Sequence, residues 1–303
     1  MSASESAAEI SEITLVLTVH NFSYGLLTPA LAYLMSFLGS FLALRCTSRA
    51  RASTGSARRG WLLVAAISLG VTGIWVMHFI AMLGFSVPGD TIRYNVLVTL
   101  GSMLLAVAFV SFGLMIVGFG PGTNWALVLA GVVTGFGVAG MHYTGMAAMT
   151  GPFHMSYDPL LFVLSVVIAI VACTVALWFT LRLSKMWATL GASAIMGVAV
   201  SGMHYTGMAA MHVRAASADS MGMGGASASS FLLPLIIGVS VLTFVLTATI
   251  ALSPTDEEIS ADAELMRRIE SVRAQAPDAT IMTSATLTAA RRERRWRPPS
   301  QPQ

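Results

Sequence analysis

Seven stretches of the chain are almost wholly apolar, at 13–44, 61–85, 95–119, 124–149, 160–181, 187–211 and 231–252. Each is roughly 20 residues or longer, the length an α-helix needs to cross about 30 Å of hydrocarbon. They predict an all-α, polytopic membrane protein with seven transmembrane helices. The breaks between them have the chemistry of chain ends. Gly120, Pro121 and Gly122 make a tight turn, Pro88 and Gly89 another, and a Ser/Ala/Gly-rich loop carries Arg45, Arg49, Arg51, Arg58 and Arg59. Three segments result: a polar start at 1–12, a membrane domain at 13–252 and a tail at 253–303. In the tail, Thr255 followed by Asp256, Glu257 and Glu258 reads as a helix start. Residues 261–274 read as a short amphipathic helix, followed by a disordered basic and Pro-rich end.

The apolar runs contain an internal repeat. The decapeptide at 140–149, Gly-Met-His-Tyr-Thr-Gly-Met-Ala-Ala-Met, returns unchanged at 202–211, and Met77, His78, Phe79, Ile80, Ala81 and Met82 form a diverged earlier copy. The histidines at 78, 142 and 204 are 64 and 62 residues apart. That period is roughly two membrane crossings with their connections. The chain therefore reads as one helical hairpin used three times, plus a final helix.

A mean hydropathy of +0.75 with 10% charged residues fits a membrane composition, and a net charge of +3 invites no nucleic-acid reading. No charge occurs at 60–89 or at 94–157. If the arginine loop at 45–59 faces the cytoplasm, only Arg93 and Arg214 of the 17 Lys and Arg fall outside. The positive-inside bias thus predicts an external N-terminus and a cytoplasmic C-terminus. All six histidines, at 20, 78, 142, 154, 204 and 212, then lie in the outer half or in outer loops. Glu5, Glu9 and Glu12 near the start argue against a cleaved signal peptide. Cys46 and Cys173 form neither a disulfide framework nor a CxxC motif. The spans offer no acid/base pair or activated nucleophile, and about fifty polar tail residues are too few for a catalytic core, so no enzyme activity is expected.

On a helix, residues four and seven places after a histidine return to nearly the same face. His142, Met146 and Met149 share such a stripe, as do His204, Met208 and Met211, whereas the first copy keeps His78 and Met82 with Phe85 in third place. Imidazole and thioether suit copper and suit hard cations poorly. Against that stands methionine as core filler between helices, with each histidine merely hydrogen-bonded inside a bundle. Polar groups at membrane depth are costly and point to function, and three like placements strengthen that reading. Gly131 with Gly135, and Gly197 with Ser201, sit four apart and suit close helix approach.

The Met-His-Tyr-Thr strings at 141–144 and 203–206, with Met77-His78-Phe79-Ile80 as a diverged third, resemble the MHYT domain of bacterial integral membrane sensors. The resemblance covers about 13–252. It implies a plasma-membrane sensor that binds copper near the outer face and senses oxygen, CO or NO, often with a fused cyclic-di-nucleotide enzyme; that output is not carried over to this chain, and an unknown cytoplasmic signalling partner is expected instead. Carried over residue by residue, it makes His78, His142 and His204 ligand candidates, with Met77, Met82, Met141, Met146, Met203 and Met208 as supporting or alternative ligands. Tyr143, Thr144, Tyr205 and Thr206 are placed to orient the imidazoles, or equally to anchor at the interface and bond their own helix backbone. Phe79 and Ile80 depart from the motif. Two other functions remain: copper uptake or storage, with His154, Met155, His212, Met221 and Met223 as capture ligands, and a membrane cytochrome with two histidines on haem.

The charge asymmetry makes a direct prediction. A reporter active only outside the cytoplasm should work when fused at Gly89 and fail at Gly122; the reverse pattern would invert the topology.

Overall fold

The computed structural model describes residues 17–89, 91–215, 224–252 and 256–275, with Thr288 and Arg291. The chain divides into two units, one ending at Ser253 and one beginning at Pro254. In the first unit lie helices α1 (Leu27–Ala52), α2 (Gly55–Leu83), α3 (Val96–Phe119), α4 (Asn124–Ala147), α5 (Pro159–Arg182), α6 (Met186–Ala209) and α7 (Leu233–Leu252). A π-helical turn, Ala228–Leu232, leads into α7. Seven helices are long and apolar enough to cross a membrane, so this is a multi-pass membrane protein. Their starts follow local chemistry. The side chains of Asn95, Thr123 and Asp158 accept hydrogen bonds from Val98 N, Ala126 N and Leu161 N at the heads of α3, α4 and α5, and Pro159 takes the first position of α5.

The six helices of the three hairpins close on themselves. Within each pair α1 packs on α2, α3 on α4 and α5 on α6; between pairs α3 packs on α2, α5 on α4 and α1 on α6. The motif helices α2, α4 and α6 also touch one another, which places them around a common axis, while α7 lies against α1 and α2. Close approach depends on small residues. A Cβ at Gly131 would lie 2.8 Å from Thr174 Cα, and one at Gly135 2.5 Å from Ile170 Cα, so α4 meets α5 almost backbone to backbone. Exposed Leu104, Phe112, Phe136, Val171, Ile195 and Phe244 form the apolar outer surface expected against lipid. Within α2, Ser68–Val76 is π-helical, an irregularity that often marks functional sites; here it immediately precedes Met77 and His78.

Three expectations are corrected. The first span was expected at 13–44, but its helix runs from Leu27 to Ala52. Pro29 lacks an N–H and fits only the first helical turn, so the chain before it takes another path: Leu17 N donates to Val213 O at 2.9 Å and His20 bridges to Ser86. The remainder, 13–16, lies outside the described residues. The arginine loop is instead mostly helical. Arg45, Arg49 and Arg51 ride on α1 and Arg58 and Arg59 on α2, with Ser53 and Thr54 between. Three of these guanidiniums serve carbonyls that end other helices: Arg51 donates to Thr180 O and Leu183 O, Arg58 to Gly118 O, and Arg49 to Ile250 O at 3.3 Å. Cations at helix C-termini complement both the orphan carbonyls and the macrodipole. The ends of α5, α3 and α7 are thus tied to the α1–α2 corner.

The third correction concerns the histidine end, where loops were expected at 150–159 and 212–230. Strands β1 (Arg93–Tyr94), β2 (Met149–Thr150) and β5 (Ala226–Ser227) form one small sheet in the order β2-β1-β5, and β3 (Phe153–Tyr157) pairs antiparallel with β4 (Met211–Ala215). In β4, Met211 and Val213 are buried while His212 and Arg214 are exposed, the period-two pattern of a strand with one covered face. Residues 216–223, including Met221 and Met223, lie outside the described residues.

The second unit contains α8 (Asp256–Gln275). Arg268 and Glu264 form an exposed i,i+4 pair at 2.7 Å, a contact worth a few tenths of a kcal/mol. Of the expected basic cluster, Arg292, Arg294, Arg295 and Arg297 lie outside the described residues.

Because α4 and α5 leave no room for a side chain at Gly135, Gly135→Leu should destabilise the bundle by about 1–3 kcal/mol. Thermal unfolding in detergent reads this as a lowered Tm; an unchanged Tm would contradict the close packing.

Candidate metal centre

His78, His142 and His204 each stand five residues before the end of their helix, in α2, α4 and α6. Equal depth on three helices around one axis brings the rings together. The Nδ1 atoms of His78 and His204 are 3.0 Å apart, those of His78 and His142 3.2 Å, and those of His142 and His204 3.4 Å. Ring centroids are separated by 4.9, 5.0 and 5.1 Å with interplanar angles of 78–85°, so the rings meet edge to face like propeller blades. None is more than 1% exposed.

The motif glycines make this possible. A Cβ at Gly145 of α4 would lie 2.6 Å from His78 Nε2, and one at Gly207 of α6 would lie 2.3 Å from His142 Nε2. Each of these rings therefore lies across the glycine three places after the next histidine. The matching position of α2 is Ala81, so glycine is used at two of three places. Both exact motif copies display a glycine at this offset, the sequence signal for this packing.

The inward nitrogens pose a chemical problem. A neutral imidazole has one N–H and one lone pair. A proton on one Nδ1 can satisfy one neighbour, but three such atoms in mutual contact cannot all be paired by one another. The opposite atoms give no relief: Nε2 of all three rings is buried without a hydrogen-bond partner. Unmet polar groups inside a protein cost about 1–3 kcal/mol each. A cation among the three Nδ1 atoms resolves the inner half of this problem. Points with those separations lie about 1.9 Å from a common centre, close to the roughly 2.0 Å typical of a metal–imidazole bond. His78, His142 and His204 are the three-residue group among the described residues able to offer ligand atoms within 4.8 Å of one another.

The other candidates divide. Met77, Met82, Met141, Met146, Met203 and Met208 are all buried, between 0 and 4% exposed. Met82, Met146 and Met208 stand one turn beyond the histidines on the same stripe, whereas Met77, Met141 and Met203 precede them and project about 100° away around the helix. Tyr143 donates or accepts with Ser165 Oγ at 2.6 Å, Thr206 donates to Gly202 O at 2.8 Å, and Thr144 is half-buried. Tyr205 OH is buried without a partner, and its ring lies 5.5 Å from that of Phe22. These tyrosine rings meet the neighbouring imidazoles in T-shaped pairs: Tyr143 lies 4.8 Å from His142 and Tyr205 4.9 Å from His204, centroid to centroid. His154 and His212 are exposed on β3 and β4, Met155 is half-buried, and His20 is exposed, so none joins the cluster. Tyr94 and Tyr157 lie in the strands at this end; burial raises the Tyr94 phenol and, with Tyr143 adding, pushes Tyr157 up to about 12, keeping both neutral.

Comparison with known proteins agrees with this repeat. The family model described as the bacterial signalling protein N-terminal repeat, MHYT, matches residues 72–131 and 135–193. The membrane domain of this chain belongs to the MHYT family. Among similar proteins is the bifunctional diguanylate cyclase/cyclic di-GMP phosphodiesterase MucR of Pseudomonas aeruginosa, 39% identical over 193 residues, covering 62% of this chain and 28% of MucR. The cyclic di-GMP phosphodiesterase NbdA of the same organism is 37% identical over 222 residues, 68% of this chain and 28% of NbdA. The signaling protein YkoW of Bacillus subtilis is 32% identical over 201 residues, 62% of this chain and 24% of YkoW. The chain thus spans about a quarter of the length of these MHYT relatives. No solved structure matches.

The packing of imidazole on glycine predicts that Gly207→Ala lowers the Tm well below that of Gly202→Ala, where a Cβ would meet nothing within 4 Å. Equal unfolding temperatures would show that His142 does not occupy the Gly207 face.

Proposed function

We propose that this MHYT domain is a membrane sensor in which His78, His142 and His204 hold a copper ion through Nδ1. The observation that carries the reading is the triangle of mutually contacting, buried imidazole nitrogens, a donor set that neutral rings cannot satisfy among themselves. Neutral nitrogen donors and nearby thioethers favour copper over hard cations. Met82, Met146 and Met208 are the methionines best placed to complete the set; Met77, Met141 and Met203 support it from behind. Bound there, copper supplies ligand-binding chemistry toward a diatomic gas such as oxygen, CO or NO. The protein's part is to fix three donors from three hairpins, so that a change at the ion shifts α2, α4 and α6 against one another.

The arginine bias supports an external histidine end and a cytoplasmic arginine end in a bacterial plasma membrane. The output then passes to a cytoplasmic partner, and the activities named for MucR and NbdA make cyclic di-GMP turnover the class of process it serves. A haem reading is disfavoured by the geometry, since ring centroids about 5 Å apart leave no slot for a porphyrin between them. Copper handling rests on the exposed His154 and His212, which share a face of the β3–β4 pair, and it lacks a third described ligand.

Purified protein should carry roughly one copper per chain, and the double variant His142→Ala, His204→Ala should lose it. Copper retained by the double variant defeats the assignment.

A further inference from the structure

Directly behind the histidines is a second feature that the metal reading leaves unused. Ile74, Val138 and Val200 stand four residues, one helical turn, before His78, His142 and His204, and all three line one cavity. Its remaining lining is apolar, including Met203 and the small residues Ala169, Ala172, Cys173 and Ala176 along one face of α5. Measured to the centre of a water-sized sphere, it holds about 20 Å³. A space of that size takes one small molecule, but a water needs two or more polar partners, and this lining offers none beyond a weak thiol. The cavity is therefore dry and suited to a small apolar solute.

It also has a neighbour. A groove between α5 and α6, with exposed Val167, Val171, Val175 and Ile195 on its lips, shares two lining residues with the cavity, Ala172 and Met196. Those lips belong to the apolar belt facing lipid. Met196, 4% exposed, lines both spaces, and methionine is unbranched and changes rotamer readily. From the other direction, Phe85, Tyr94, Met149 and Met211 at the histidine end are each at most 5% exposed. An apolar solute is concentrated in hydrocarbon relative to water; the short route to the cavity starts there.

We propose that this cavity is the docking site of a single apolar solute of diatomic size, which enters sideways from the bilayer between α5 and α6 past Met196. This deepens the sensor reading and takes its significance from it, because the docked molecule sits one turn beneath the three imidazoles. The access path is then the lipid phase, although the histidines lie near an aqueous end of the bundle.

Xenon, an apolar probe that occupies dry protein cavities, tests this on the full chain in lipid nanodiscs by 129Xe NMR, with copper content measured on the same samples. The wild type should show one saturable xenon site. Ala169→Phe and, independently, the milder Val200→Leu should abolish or weaken it while copper content stays unchanged. Ala199→Trp, in the groove, should slow xenon exchange severalfold without removing the site, and Met196→Ala should speed it. Absence of a saturable site in folded wild type, or a site indifferent to both fillings, overturns the cavity. Exchange unaffected by Ala199→Trp and Met196→Ala overturns the lateral route. Xenon bound normally by a protein that takes up no copper sinks the metal reading and leaves the cavity standing.

Discussion

The structure depends on three imidazoles meeting inside a medium with almost no water. Nothing in hydrocarbon compensates an unpaired nitrogen, so the placement of His78, His142 and His204 at equal depth constrains everything around it. Three helices must approach one axis, their histidines must stand at the same distance from their ends, and glycine must lie opposite two of the rings. The Nδ1 separations of 3.0–3.4 Å are what remains when those conditions are met.

Repetition is the economical way to meet them. One hairpin copied three times supplies equal depth automatically, and successive pairing of the copies closes the ring. The symmetry is imperfect in ways that matter. Of the three motif helices only α2 carries a π-helical stretch, only its motif lacks the tyrosine, and α7 packs beside it and α1 rather than between equivalent hairpins. The opposite end has no such symmetry: Arg49, Arg51 and Arg58, all from the α1–α2 corner, reach the last carbonyls of α7, α5 and α3. A displacement of α2 at the histidines therefore has covalent continuity with the corner that holds the other helix ends.

Much of this was legible in the sequence because membrane chemistry writes itself in long strings. Seven apolar runs gave seven helices, and the repeated Met-His-Tyr-Thr string, with its diverged first copy, gave the three histidines that converge. What was hidden is non-local. The arginines read as a loop because charge normally ends a span; their partners are carbonyls 60 to 201 residues away. Strands β3 and β4 read as loops because each is short and gains stability only from the other. For Tyr143 the sequence left imidazole orientation and interface anchoring equally open; the hydroxyl's partner, Ser165, lies on the following helix. Gly145 and Gly207 are visible in the motif, but a missing side chain announces nothing until the neighbouring ring is in place. The apolar cavity is likewise invisible in a string, since Ile74, Val138 and Val200 become neighbours only when the hairpins close.

The most direct test of the triad as a metal centre is X-ray absorption at the copper edge of the metal-loaded protein. The account predicts imidazole scattering from about three nitrogen donors near 2.0 Å. A first shell of sulfur alone, or one without imidazole, would contradict it.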